Sequence, residues 1–117
     1  MLESFEDIEL DQLPDCHGQV FRYLRDQTNK DHTITSATLE ELFDIKGTDV
    51  RNIVRYYRYS EQEWICSSSN GYWMAQTWHE LEPTIHHLQQ RGEKLLRLAK
   101  ILEKSRFKNE NGQGEIF

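Results

Sequence analysis

Apolar residues recur along this chain at helical spacing before they do at strand spacing. Cys16, Val20 and Leu24 stand at i, i+4 and i+8, with Phe21 and Tyr23 beside them, which predicts a first helix over residues 15 to 27. Thr28-Asn29-Lys30-Asp31 is turn-rich, and Ile34 is an apolar point ahead of Thr35 or Ser36, either of which can cap a helix. Leu39, Leu42 and Phe43 predict a short second helix, broken within four residues by Asp44-Ile45-Lys46-Gly47. A third helix follows over residues 48 to 60. Trp64-Ile65-Cys66 and Tyr72-Trp73-Met74-Ala75 are aromatic and apolar runs of strand type, separated by Ser67-Ser68-Ser69-Asn70-Gly71, where Asn-Gly marks a hairpin tip. Thr77 and Glu80 have the spacing of a capping box and open a long helix to about Ser105. Pro83 lacks a backbone donor, so that helix either kinks there or begins near Glu82.

The expected fold is therefore mainly α with a small β-hairpin: a winged helix-turn-helix followed by a long C-terminal helix. Its expected divisions are an acidic flexible arm over residues 1–14, the winged domain over 15–76, the long helix over 77–105 and a flexible tail over 106–117. At 117 residues the chain suits one domain, and 37% hydrophobic against 29% charged residues makes for a small core. No run approaches the ~18 apolar residues of a membrane span, and the first 15 residues lack the basic start and apolar middle of a signal peptide. Two cysteines, Cys16 and Cys66, are too few for a disulfide framework, which favours a reducing, cytoplasmic setting without contact with a membrane.

Charge changes the picture more by its distribution than by its sum of -6. Residues 1 to 15 carry Glu3, Glu6, Asp7, Glu9, Asp11 and Asp15 with no Lys or Arg, which matches the whole excess. Two basic segments remain, one in the third helix and one between Gln89 and Lys108. Projected at about 100° per residue, Val50, Ile53, Val54 and Tyr57 share one sector of the third helix, while Thr48, Arg51, Asn52, Arg55 and Tyr59 lie opposite. Arginine suits guanine as a bidentate donor, asparagine suits adenine, and Thr or Tyr can reach phosphate. The expected partner is double-stranded DNA. Its candidate contacts are Lys46, Thr48, Arg51, Asn52, Arg55 and Tyr59, together with Ser68, Ser69 and Asn70 of the wing; the competing account of such a face is an ordinary solvated one.

These residues also carry a resemblance. Ile34-Thr-Ser-Ala-Thr-Leu-Glu-Glu-Leu-Phe-Asp-Ile, then Asp49-Val-Arg-Asn-Ile-Val, the hairpin Ile65-Cys-Ser-Ser-Ser-Asn-Gly-Tyr72 and Thr77-Trp-His-Glu-Leu together resemble the small winged-helix DNA-binding proteins common in phages and prophages. The likeness spans about residues 17 to 105, and the wing is its most specific part. It implies a DNA-binding fold of viral or mobile-element origin with no enzyme chemistry and no cofactor. Two positions depart from the pattern: Asp44 stands where glycine is common, and Lys46-Gly47 replaces the usual Ser, Thr or Asp cap, although Asp49 in the first turn suits the helix dipole.

Two further signals lie toward the C-terminus. Leu81, Ile85, Leu88, Gly92, Leu95, Ala99 and Leu102 step by 4 and 3 in alternation, a heptad-type seam that either packs on the winged domain or pairs two protomers. Arg91, Lys94, Arg97, Lys100, Lys104 and Arg106 accompany it. The ending Gln113-Gly-Glu-Ile-Phe117 resembles the short peptides by which bacterial and phage proteins dock on the replicative sliding clamp. That likeness implies Gln113 as the polar anchor and Ile116 and Phe117 as the apolar pair, with Gly114 departing from the usual leucine. His79, His86 and His87 lack the i, i+4 spacing of a helical metal site, and the serines of the wing lack a partnered histidine, so neither metal nor nucleophile is expected. The expectation is a DNA-binding protein recruited to the replication sliding clamp by its C-terminus, set against a dimeric transcriptional repressor or a winged-helix module that binds other proteins.

Overall fold

The apolar stripes of the first three predicted helices converge on one core. The structure, a computed structural model, describes residues 8–109. A 3-10 turn at Leu10–Gln12 precedes α1 (His17–Gln27), α2 (Ser36–Phe43), α3 (Gly47–Tyr59), β1 (Ile65–Ser68), β2 (Gly71–Met74) and α4 (Trp78–Phe107). This is a mainly helical fold with a two-stranded antiparallel hairpin and a long last helix. The chain divides into two compact units, Met1–Glu82 and Pro83–Phe117.

In the first unit Val20 and Leu24 of α1, Leu39 of α2, and Val50, Ile53 and Val54 of α3 are buried together with Ile65 and Met74 of the hairpin. Leu13 joins them, so the stretch expected as a free acidic arm contributes a side chain to the core before residue 15. Fully burying an aliphatic side chain of this size stabilises by about 1.5–3 kcal/mol, and helical periodicity lets each helix contribute one to three such residues from one face.

Buried Thr28 joins α1 to the hairpin. Its hydroxyl donates to the Leu24 carbonyl at 2.6 Å and accepts from the Met74 N–H at 3.0 Å, so a residue in a turn-rich stretch becomes a polar rivet inside the core. Thr35 caps α2 by accepting from the Thr38 N–H at 3.1 Å.

The hairpin is longer than the apolar runs suggest. Ser67 pairs with Tyr72 and Ser68 with Gly71, leaving Ser69 and Asn70 as the loop, while Trp64 and Ala75 fall just outside the strands. Ile34 supplies a one-residue third strand: its N–H donates to the Tyr72 carbonyl at 2.9 Å, and the Tyr72 N–H returns to the Ile34 carbonyl at 2.7 Å. Gly71 makes this approach possible. Its φ of 127° is foreign to other residues, and a Cβ there would collide with the Ile34 carbonyl.

Candidate nucleic-acid interface

The turn before α3 sets the presentation of its outer face. Asp44 closes α2 in the left-handed conformation, at φ 53° and ψ 55°, and its N–H bonds the Glu40 carbonyl. Asp tolerates this geometry better than most residues with a Cβ, which accounts for its standing where glycine is common. Lys46 occupies the cap position without a side-chain acceptor; instead the Asp49 carboxylate accepts from the Lys46 N–H at 3.1 Å. That bond also places a negative charge at the positive end of the helix dipole.

From this start, Val50, Ile53 and Val54 turn inward, and the opposite side of α3 carries the expected contacts. Lys46, Thr48, Arg51 and Tyr59 are exposed, while Asn52 and Arg55 are half-buried. The six therefore belong to one region, with its rim more open than its middle.

Sequence patterning missed what fixes the wing to this helix. Arg58, at the C-terminal end of α3, donates from Nε to the Ile65 carbonyl at 2.9 Å and from Nη2 to the Ser67 hydroxyl at 3.3 Å. A basic residue counted only toward charge thus sets where β1 lies against α3. The wing tip is braced as well: the Asn70 N–H bonds the Ser68 hydroxyl at 3.2 Å, and Thr33 donates its hydroxyl to the Asn70 carbonyl at 3.0 Å. Ser68, Ser69 and Asn70 are exposed. A depression beside them is lined by Thr35, Ser36, Ser67, Ser68, Ser69 and Tyr72, so hydroxyls from the start of α2 add to those of the wing. Hydroxyls of this kind, together with backbone N–H groups, are donors suited to phosphate oxygens. No sequence signal marked Thr35 and Ser36 beyond their capping value.

The aromatic residues behind α3 are structural. Tyr57 stacks on Phe21 with ring centroids 4.4 Å apart, meets Tyr56 edge-on, and has its hydroxyl 2.9 Å from His17 Nδ1. Burial raises the Tyr57 phenol above its ordinary value. Trp64 is 37% exposed and lies edge-on to Trp78 at 6.2 Å. It stands between Glu63 and the start of β1 at Ile65.

The second unit differs in kind. Leu88, Leu95 and Leu102 of the seam are exposed, as are Leu96, Leu98 and Ile101, with Leu95 61% and Leu96 66% accessible. Gly92 has no neighbour within 4 Å of where a Cβ would stand. No helix among the described residues is long and apolar enough to cross a membrane, and no group of three or more His, Cys, Asp or Glu among them gathers as a metal site would require. Gln113, Ile116 and Phe117, the candidate clamp-docking residues, lie outside the described residues. Comparison with protein-family models, with curated proteins and with solved structures finds no match.

Proposed function

We propose that the protein is a non-enzymatic duplex-DNA-binding protein of the phage or mobile-element kind that reads DNA with α3 and contacts the backbone with the wing. The observation that supports this best is the division of α3 into two faces. Val50, Ile53 and Val54 are consumed by the core, which sets Thr48, Arg51, Asn52, Arg55 and Tyr59 in fixed register on the other side of the helix, with Thr48, Arg51 and Tyr59 exposed and Asn52 and Arg55 half-buried. Arg and Asn on one rigid helix face match the donor and acceptor patterns of the major groove. The hydroxyls of Ser68 and Ser69, tied to α3 through Arg58, are suited to adjoining phosphates.

A low-salt gel-shift assay tests the proposal with the double variant Arg51→Ala/Arg55→Ala. Loss of about 1–3 kcal/mol of binding per base-contacting arginine is expected, with thermal stability nearly unchanged because neither side chain belongs to the core. Equal affinity of the wild type and the double variant overturns the assignment. Lys46→Ala is expected to weaken all sequences alike and to flatten the dependence of log affinity on log salt by about one unit, as loss of one phosphate contact does.

A further inference from the structure

We infer that the helix beyond Pro83 is a self-association element that pairs with the same helix of a second copy, running antiparallel. With Leu88 as the origin and about 100° per residue, Leu95, Leu102, Ala99 and Gly92 all fall within roughly 40° of it, so the seam is a narrow stripe. Lys94, Arg97, Lys100 and Lys104 fall on the far half of the helix. The heptad has leucine at each of its d positions, 88, 95 and 102, and small residues at two of its a positions, Gly92 and Ala99.

That alternation of large and small residues decides the direction of pairing. In a parallel pair like meets like, so Gly92 faces Gly92 and Ala99 faces Ala99, leaving holes between leucine layers. Antiparallel pairing sets a against d: Gly92 meets Leu102 of the second copy and Leu95 meets its Ala99, so the layers from 92 to 102 each hold one leucine and one small residue, and Leu88 lies against the aliphatic stem of the partner's Arg106. Layers of constant volume close without voids, whereas holes lose contacts on both sides. In the same register Leu96 meets Leu96 and Leu98 meets Leu98 across the two flanks, which covers the two exposed leucines that lie off the seam.

Charge agrees with a second copy as the occupant. The flank residues that meet in this register are Gln89 with Glu103 and Arg91 with Ser105, so no like charges face each other across the interface. The four far-side cations of each helix stay in solvent. From Ile85 to Ser105 the helix is about 30 Å long at 1.5 Å per residue, which takes in the four layers between Gly92 and Leu102. Such a stripe buries an area at the low end of specific interfaces, so the dissociation constant is expected in the micromolar range.

Sedimentation equilibrium of the full chain without DNA tests the pairing independently of the DNA-binding proposal. A reversible monomer–dimer equilibrium is expected, weakened at least about 100-fold by Leu95→Asp, which would bury an unpaired carboxylate. Leu95 is exposed in the single chain, so this variant should fold, and unchanged near-ultraviolet circular dichroism of the winged unit checks that it does. Direction is read by mixing Gly92→Cys chains with Leu102→Cys chains under mild oxidation and mapping the linked peptides by mass. A link between positions 92 and 102 is the expected product, with little between two copies of position 92. A monomer at every concentration, an undiminished dimer in Leu95→Asp, or a dominant 92-to-92 link overturns the inference.

Discussion

The two units of this chain use the same raw material in opposite ways. Up to Glu82, aliphatic side chains at helical spacing are driven into one core: Leu24, Leu39, Val50 and Ile53 have no accessible surface. Beyond Pro83, leucines at equally regular spacing remain about half to two-thirds exposed. Periodicity is therefore a statement about a helix face and not about burial. Three short helices joined by turns of three to eight residues can fold their faces onto one another, whereas the single long helix has no second element among the described residues of its own unit to cover it.

The largest expected effect tests that contrast directly. Ile53→Ala should destabilise the winged unit by about 2–5 kcal/mol, the ordinary cost of a cavity in a packed core. Leu95→Ala, at concentrations dilute enough to keep the chain monomeric, should leave the stability of that unit within about ±0.5 kcal/mol, as a surface change does. Thermal melts followed by near-ultraviolet circular dichroism compare the two, and similar losses in both would show that the units are not independent in stability.

A smaller effect probes the polar link within the core. Thr28→Val keeps the shape but removes the acceptor for the Met74 N–H, and should cost about 1–3 kcal/mol through an unsatisfied buried donor. Hydrogen exchange is the sharper readout. The Met74 amide should lose protection well before the amides of α3.

The smallest expected change has the opposite sign. Asp44→Gly relieves a left-handed residue bearing a Cβ and should stabilise by up to about 1 kcal/mol, partly offset by the greater freedom of glycine in the unfolded chain. Urea unfolding at an unchanged m-value measures it. A loss of stability would mean that the Asp44 side chain contributes more to the turn than its backbone costs.

Much of the winged unit was legible because its signals are local. The stripe in α1, the break at residues 44 to 47, the two faces of α3 and the Asn-Gly tip each depend on residues a few positions apart. The start of α4 was left between two alternatives by Pro83. In the structure the helix opens at Trp78, where Thr77 accepts from the Glu80 N–H at 3.2 Å, and Pro83 is accommodated inside it. The Glu80 carboxylate reaches the Gln76 N–H at 2.9 Å, one residue further back than the capping box implies. Of the candidate interface, the outward face of α3 was legible and its support was not. Arg58, Thr28 and the pairing of Ile34 with Tyr72 bridge 7 to 46 positions of sequence, a separation at which no spacing rule operates.

What the sequence determined by itself was thus which residues share a face: the Val50, Ile53 and Val54 stripe against Arg51, Asn52 and Arg55, and the leucine seam from Leu88 to Leu102. Helix geometry follows from the backbone, and one chain is enough to apply it. Only the tertiary structure decided which of those faces were covered and how tightly. It buried the first stripe and left the seam in solvent, drew Leu13 into the core, and moved Trp64 to the rim beside Trp78. Burial depends on where another surface comes to lie, and that is settled by contacts between distant segments competing for the same apolar area.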